Sequence, residues 1–345
     1  MRGLRILLVS MLAPLAILGS AQWALPAPVD ELVGAAGREG TLDLYAPSSL
    51  TPLGAQALGE AFNKKYNLQI KVNYNPGSSF TKDVGKVVGL AATGVPPEWD
   101  LMVIHDAGHA TLWLRKLHLP YDYKSLGIDP RAIHYDSGTV SFAHMIVQPA
   151  YNKSILPAQD VPKRWEDLLD PKWKGSKLGM STATHHLARL AAGPWGEKKT
   201  TEFVRALAAQ QPFLGTLAEI TTRLQLGEVV VAITLIDQFI YTAQKKGAPL
   251  TFADGVEPVV SPAWQAGVLR NAPHSSAARL FTIFLVTPEA QKIWDKFTGG
   301  ASAFVPGTKT FEYLKDKQVV YMTQDQSKII DRLTAEYGKI FGFSK

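Results

Sequence analysis

Cysteine is absent from all 345 residues. That excludes disulfides, thiolate zinc sites, iron–sulfur clusters and a lipid-modified N-terminal cysteine. An exported form would be held together by its core alone, which this length permits. Charge is also sparse: charged residues make up 19% of the chain, and 36 basic against 30 acidic side chains give a formal net charge of +6. The basic residues form no runs, so the excess is a weak bias toward anionic ligands. It lacks the clustered stripes of a nucleic-acid footprint, and no nucleic-acid partner is expected. Beyond the N-terminus there is no apolar run long enough to span a bilayer, no internal repeat and no low-complexity segment. What remains, 46% hydrophobic with 10% aromatics, is the composition of a globular protein.

The N-terminus, MRGLRILLVSMLAPLAILGSAQWA, has Arg2 and Arg5, then an apolar run from Ile6 to Leu18, then Gly19, Ser20 and Ala21. This is the layout of a secretory signal peptide, expected to occupy residues 1–21. As a membrane anchor the run is too short of roughly 20 residues, and Pro14 breaks it. The mature chain is expected free in a bacterial periplasm.

From about Gly40, strand-like and helical runs alternate. TLDLYA (Thr41–Ala46), LQIKVNY (Leu68–Tyr74) and DLMVI read as strands, each followed by an apolar helical stripe. A second series holds WEDLLDPKWKG, read as a short helix ended by Pro171, then the strand KLGM, a helix and GEVVVAIT (Gly227–Thr234). The last has the continuous β-branched character of a strand buried on both faces. This order predicts an α/β fold with mainly parallel sheets. Two extended segments, Ser141–Asn152 and Ser261–Pro273, divide the blocks. Two lobes joined by two crossing strands would fit: 38–143 with 267–345, and 144–266.

Three strand-to-helix loops share one character. They carry Ser48 and Ser49, then Ser78 and Ser79, then Ser181, Thr182 and Thr184. Hydroxyls there serve as helix N-caps. They also sit where open α/β sheets bind ligands, beside helix N-termini that favour anions.

DLMVIHDAGHATLWLRKLHLP, AHMIVQPAYNKSIL, QAGVLRNAPHSSAARLFTIFLVTPEAQKIW and above all RWEDLLDPKWKGSKLGM resemble the periplasmic solute-binding proteins of ABC importers. The resemblance is to the branch holding ferric-iron, phosphonate, phosphosugar and thiamine binders, and it runs through nearly the whole mature chain. It implies a two-lobed type II binding-protein fold with a mixed sheet in each lobe, a ligand clamped between the lobes, and a membrane permease as partner. Neither a cofactor nor catalysis is implied. Ferric binders of this branch carry two adjacent tyrosines after the strand that here is GEVVVAIT, where this chain has Leu235, Ile236, Asp237 and Gln238. Tyr241 is a phenol without a neighbour.

Three other motifs have competing readings. HDAGH (His105–His109) imitates the zinc-protease spacing, but Gly108 and the strand before it place His105 in a turn. His185 and His186 lie about 100° apart on a helix and cannot aim at one ion. Ser181 lacks the G-x-S-x-G elbow of a nucleophile. The site expected from the sequence comprises Ser48, Ser49, Ser78, Ser79, Thr182 and Thr184 toward an anion, with Asp106, His185, Asp237, Gln238, Tyr241 and Trp264 around the remainder. The expected ligand is a small organic carboxylate, phosphate ester or phosphonate, taken up by a monomer. The alternatives are ferric or other metal uptake on the same fold, a secreted hydrolase using Ser181 or the histidine pair, and a periplasmic sensor subunit.

Overall fold

The computed structural model describes residues 27–77 and 79–343. The expected signal peptide and Ser78 lie outside the described residues. No helix among the described residues is long and apolar enough to cross a membrane.

In chain order the first lobe contains α1 (Ala27–Glu39), β1 (Thr41–Pro47), α2 (Thr51–Tyr66), β2 (Lys71–Gly77), α3 (Phe80–Ala92), β3 (Leu101–His105), α4 (Asp106–Leu114), β4 (Ile133–His134) and β5 (Thr139–His144). The second begins with β6 (Val147–Asn152) and continues through β7 (Leu178–Ser181), α5 (His185–Ala192), α6 (Gly196–Ala209) and β8 (Phe213–Gly215). It goes on with α7 (Leu217–Leu226), β9 (Val231–Ile236), α8 (Asp237–Lys245), β10 (Leu250–Phe252) and β11 (Val259–Val260). The chain then returns for β12 (Ala263–Val268), α9 (Ser275–Leu285) and α10 (Pro288–Thr298), and ends with α11 (Lys309–Leu314), β13 (Val319–Val320) and α12 (Ser327–Phe341).

Both sheets are mixed. The first has the order β2-β1-β3-β12-β5-β4, and the second β13-β11-β6-β9-β7-β8, with β10 on β6. β1 pairs in parallel with β2 and β3, while β12 runs antiparallel to β3 and β5. Two connections join the sheets over a few residues, from β5 to β6 and from β11 to β12. A third passes from α10 to β13, which pairs with Val259 and Val260 of β11. The C-terminal stretch from β13 onward therefore belongs with the second sheet, and α12 packs on α5 and α6. The sequence had grouped all of 267–345 with the first lobe, because a two-residue strand such as Val319–Val320 carries no pattern to reveal its sheet.

Local chemistry explains the element ends. α2 starts with Pro52 in its first turn and stops at Asn67, whose φ of 52° is left-handed, a conformation Asn tolerates better than most residues. α7 opens with a reciprocal cap between Thr216 and Glu219 and ends on Gly227 at φ 78°. The tryptophan motif is a correction: two 3₁₀ turns, Trp165–Leu169 and Pro171–Trp173, replace the expected helix. Asp167 takes the backbone N–H groups of Lys163 and Arg164, and Asp170 takes that of Lys172. These side-chain bonds hold the backbone in turns rather than a helix. Trp165 is fully buried and donates its indole N–H to Pro258 O at 3.1 Å.

Candidate functional site

Between the lobes lies a cavity of about 650 Å³, within the range that holds small organic ligands. The first lobe supplies Ser79 and Phe80 from the start of α3 and His105 to Gly108 from the β3–α4 junction. The second supplies Ala183, His185, His186 and Arg189 from α5, Leu217 from the start of α7, and Ile236 ahead of α8. The connections add Met145 and Pro262. Five helix N-termini thus approach one space, because parallel strands deliver every following helix at the same sheet edge.

A second cavity of about 450 Å³ runs on from it between α4 and α12. Thr111, Arg115, His185 and Asp331 line both. α12 buries Leu333 and Tyr337 on one face, while its Lys328, Asp331 and Thr334 form a cleft wall.

Asp106 and Arg189 meet across the lobes. Arg189 Nη1 donates to Asp106 Oδ2 at 2.7 Å and Nη2 to Oδ1 at 2.6 Å, with both side chains 1% exposed. Burial alone would raise the Asp106 carboxyl, but the charge and hydrogen bonds of Arg189 override it and hold it at about 2. Burial pushes His105 down to about 4, and the Arg189 charge adds to that effect. His185 falls to about 3 for the same two reasons, and His186 lies well below the usual range. All three imidazoles are neutral at pH 7. His105 packs against Phe80 and Trp264, with ring centroids 4.6 Å away in each case.

The expected residues divide clearly. Ser79, Asp106 and His185 line the main cavity. Trp264 is buried behind it, supporting His105 and Phe80. Ser48 is exposed and Ser49 half-buried, and neither lines the cavity. Thr182 is exposed and outside it, and the buried Thr184 donates its hydroxyl to Thr334 O of α12 at 2.9 Å. Asp237 and Tyr241 instead line a smaller cavity of about 200 Å³ with Gly299, Lys309 and Tyr313. The α8 axis turns them toward the third connection, and Gln238 lines neither space. In that pocket burial raises the Asp237 carboxyl to about 7.

The HDAGH histidines part company. His109 points into the lobe core, 3.0 Å from both His118 Nε2 and Gln265 O. Ser181 Oγ accepts from Ala183 N–H, and neither neighbouring histidine is among its partners. Among the described residues one group, Asp43, Asp100 and His274, has metal-ligand spacing. It sits near the N-terminal ends of β1 and β3, at the opposite edge from the cavity. There Asp100 accepts from Asp43 N, His274 N and His274 Nδ1, each at 2.8 Å, which ties the start of α9 to the sheet.

Arg189 is the principal residue not anticipated. A signal was present: one arginine inside the apolar run Leu187–Ala192 must find a buried partner.

By sequence, the family described as bacterial extracellular solute-binding protein matches residues 57–319. The chain belongs to that family. Such a protein is a non-catalytic carrier: it binds a small polar ligand between two lobes and works with the membrane permease of an ABC transporter. Family membership supports a periplasmic location. No curated protein matches the sequence. Among solved structures, iron-bound HitA from Pseudomonas aeruginosa is 18% identical, with a TM-score of 0.67 over 88% of this chain and 99% of that one. Trichodesmium IdiA (FutA), in complex with iron and citrate, is 20% identical, with a TM-score of 0.68 over 88% and 100%. AfuA from Actinobacillus pleuropneumoniae, holding fructose-6-phosphate, is 19% identical, with a TM-score of 0.66 over 88% and 99%. These likenesses establish the shared two-lobed fold.

Proposed function

We propose that this solute-binding protein captures a small polyanion between its lobes, and that ferric iron coordinated by such an anion is the cargo the comparisons favour. The observation that carries the anion is the convergence of five helix N-termini on one cavity. Their partial positive charges favour carboxylate or phosphate oxygens and disfavour a bare cation. Hydroxyls contribute less than the sequence suggested, because Thr184 is engaged by α12.

Metal uptake has its own support. Two of the three relatives above are described with iron. The cavity wall carries His105 on one lobe and His185 on the other, and neutral imidazole is the form that ligates metals. A tyrosine pair of the ferric-binder kind does not follow β9, so the phenolate route is not the one used. A metal–carboxylate complex satisfies both lines of support: its carboxylates face the helix ends and its metal faces imidazoles. The connections β5–β6 and β11–β12 would act as the hinge, closing the lobes over the ligand. The protein would act as a monomer after removal of residues 1–21.

A thermal-shift screen tests this. Citrate, ferric citrate, ferric ion alone, sugar phosphates and neutral sugars would be compared. Ligand at a hundred times its Kd stabilises by about 2.7 kcal/mol. Stabilisation by citrate or ferric citrate supports the proposal. Stabilisation by neutral sugars alone would overturn it, and a response to ferric ion without any anion would replace it with bare-metal uptake.

A further inference from the structure

The charged pair in the cavity wall has a geometry that a ligand would also use. Two parallel N–H···O bonds from one guanidinium are how arginine takes a free carboxylate. Asp106 fills that fork from the opposite lobe, so lobe opening must separate the two. Asp106 keeps one partner without Arg189, because its Oδ1 also accepts from the backbone N–H of Ala107 at 2.8 Å in the first turn of α4. Arg189 has none: Asp106 is its sole ionic partner among the described residues, and its Nε is buried without a hydrogen-bond partner. Both side chains face the main cavity.

We propose that Asp106 is an internal competitor for Arg189, occupying the position that a carboxylate of the solute takes when cargo binds. The inference rests on the polyanion reading and narrows it to solutes bearing a planar carboxylate. When the lobes open, Arg189 is released to the solute while Asp106 keeps its bond to Ala107 N–H and gains water. On closure the solute carboxylate neutralises the guanidinium. Affinity is set low by design, because Asp106 occupies the receptor for most of the time and the solute binds only to the remainder.

A structural latch and an internal competitor predict opposite signs for one substitution. Asp106→Asn keeps the size and an oxygen for Ala107 N–H but removes the competing charge. Metal-free citrate would be titrated calorimetrically into wild type and D106N, with folding confirmed by circular dichroism and with Asp106→Ser as the substitute should D106N fail to fold. Competition predicts that D106N binds citrate about tenfold or more tightly than wild type, and that the gain disappears in D106N/R189Q. If wild type binds citrate and D106N binds it equally or more weakly, the competitor is refuted while the polyanion reading stands. If neither protein binds citrate, a sugar phosphate or their ferric complexes, the polyanion reading fails and takes this inference with it.

Discussion

Replacing Arg189 with methionine should drive the lobes apart. The substitution keeps the apolar stem and removes the charge, leaving the Asp106 carboxylate buried at 1% exposure without its guanidinium. Breaking a buried pair by deleting one partner costs about 3–5 kcal/mol. Neither partner's lobe need unfold to avoid that cost, because separating the lobes returns Asp106 to water. About 3 kcal/mol moves the ratio of closed to open lobes by about two powers of ten. The absence of native cysteine allows clean spin labelling at Glu60→Cys on α2 and Arg205→Cys on α6, both exposed and on opposite lobes. Double electron–electron resonance should show a longer distance in R189M than in the parent. D106L/R189M, in which neither charge is left unpaired, should restore the short distance, since apolar replacement of a whole buried pair is often neutral. An R189M distance unchanged from the parent would mean that the unpaired Asp106 carboxylate does not open the lobes.

Three further outcomes follow from the packing. His109 and His144 are fully buried and pushed by that burial to about 4 and about 3. Their folded values lie below the unfolded one, so the stability they permit is present above about pH 6.5 and lost as pH falls toward 4. By pH 5 each costs roughly 2 kcal/mol, and a melting temperature unchanged between pH 7 and pH 5 would contradict this. Trp165→Ala should lower the unfolding free energy by about 3–5 kcal/mol in urea titrations, because the indole is fully enclosed and anchored to Pro258 O. Tyr135→Phe removes the 2.8 Å bond to Asp106 O beneath the ion pair. It should cost about 1 kcal/mol in the same assay, with little change in core packing.

The alternation of strands and helices was legible because period-2 and period-3.6 patterns are local. β1, β3 and α3 fall within a few residues of where the sequence puts them. The site was only half legible. Ser79, Asp106 and His185 come from strand-to-helix junctions whose position relative to a strand end already implies the cleft. Which way a helix rolls is not local, and that decided the failures. Asp237 and Tyr241 share a face of α8, as their spacing requires, but that face meets Lys309 and Gly299 instead of the main cavity. Thr184 heads toward a cleft in the chain but is captured by a carbonyl 150 residues away. Arg189 finds Asp106 across 83 residues, a pairing that depends on how the two lobes meet. The wall formed by α12 was hidden for the same reason.

Whether one cavity between the lobes takes a small carboxylate-bearing ligand is decided by calorimetric titration of citrate and ferric citrate into wild type and into Ala183→Trp, whose indole would fill the cavity at the start of α5. Wild type should show one site, and the folded variant should lose it. Binding of undiminished affinity in A183W, or a ligand seated in the smaller pocket beside Asp237, would contradict this placement of the ligand.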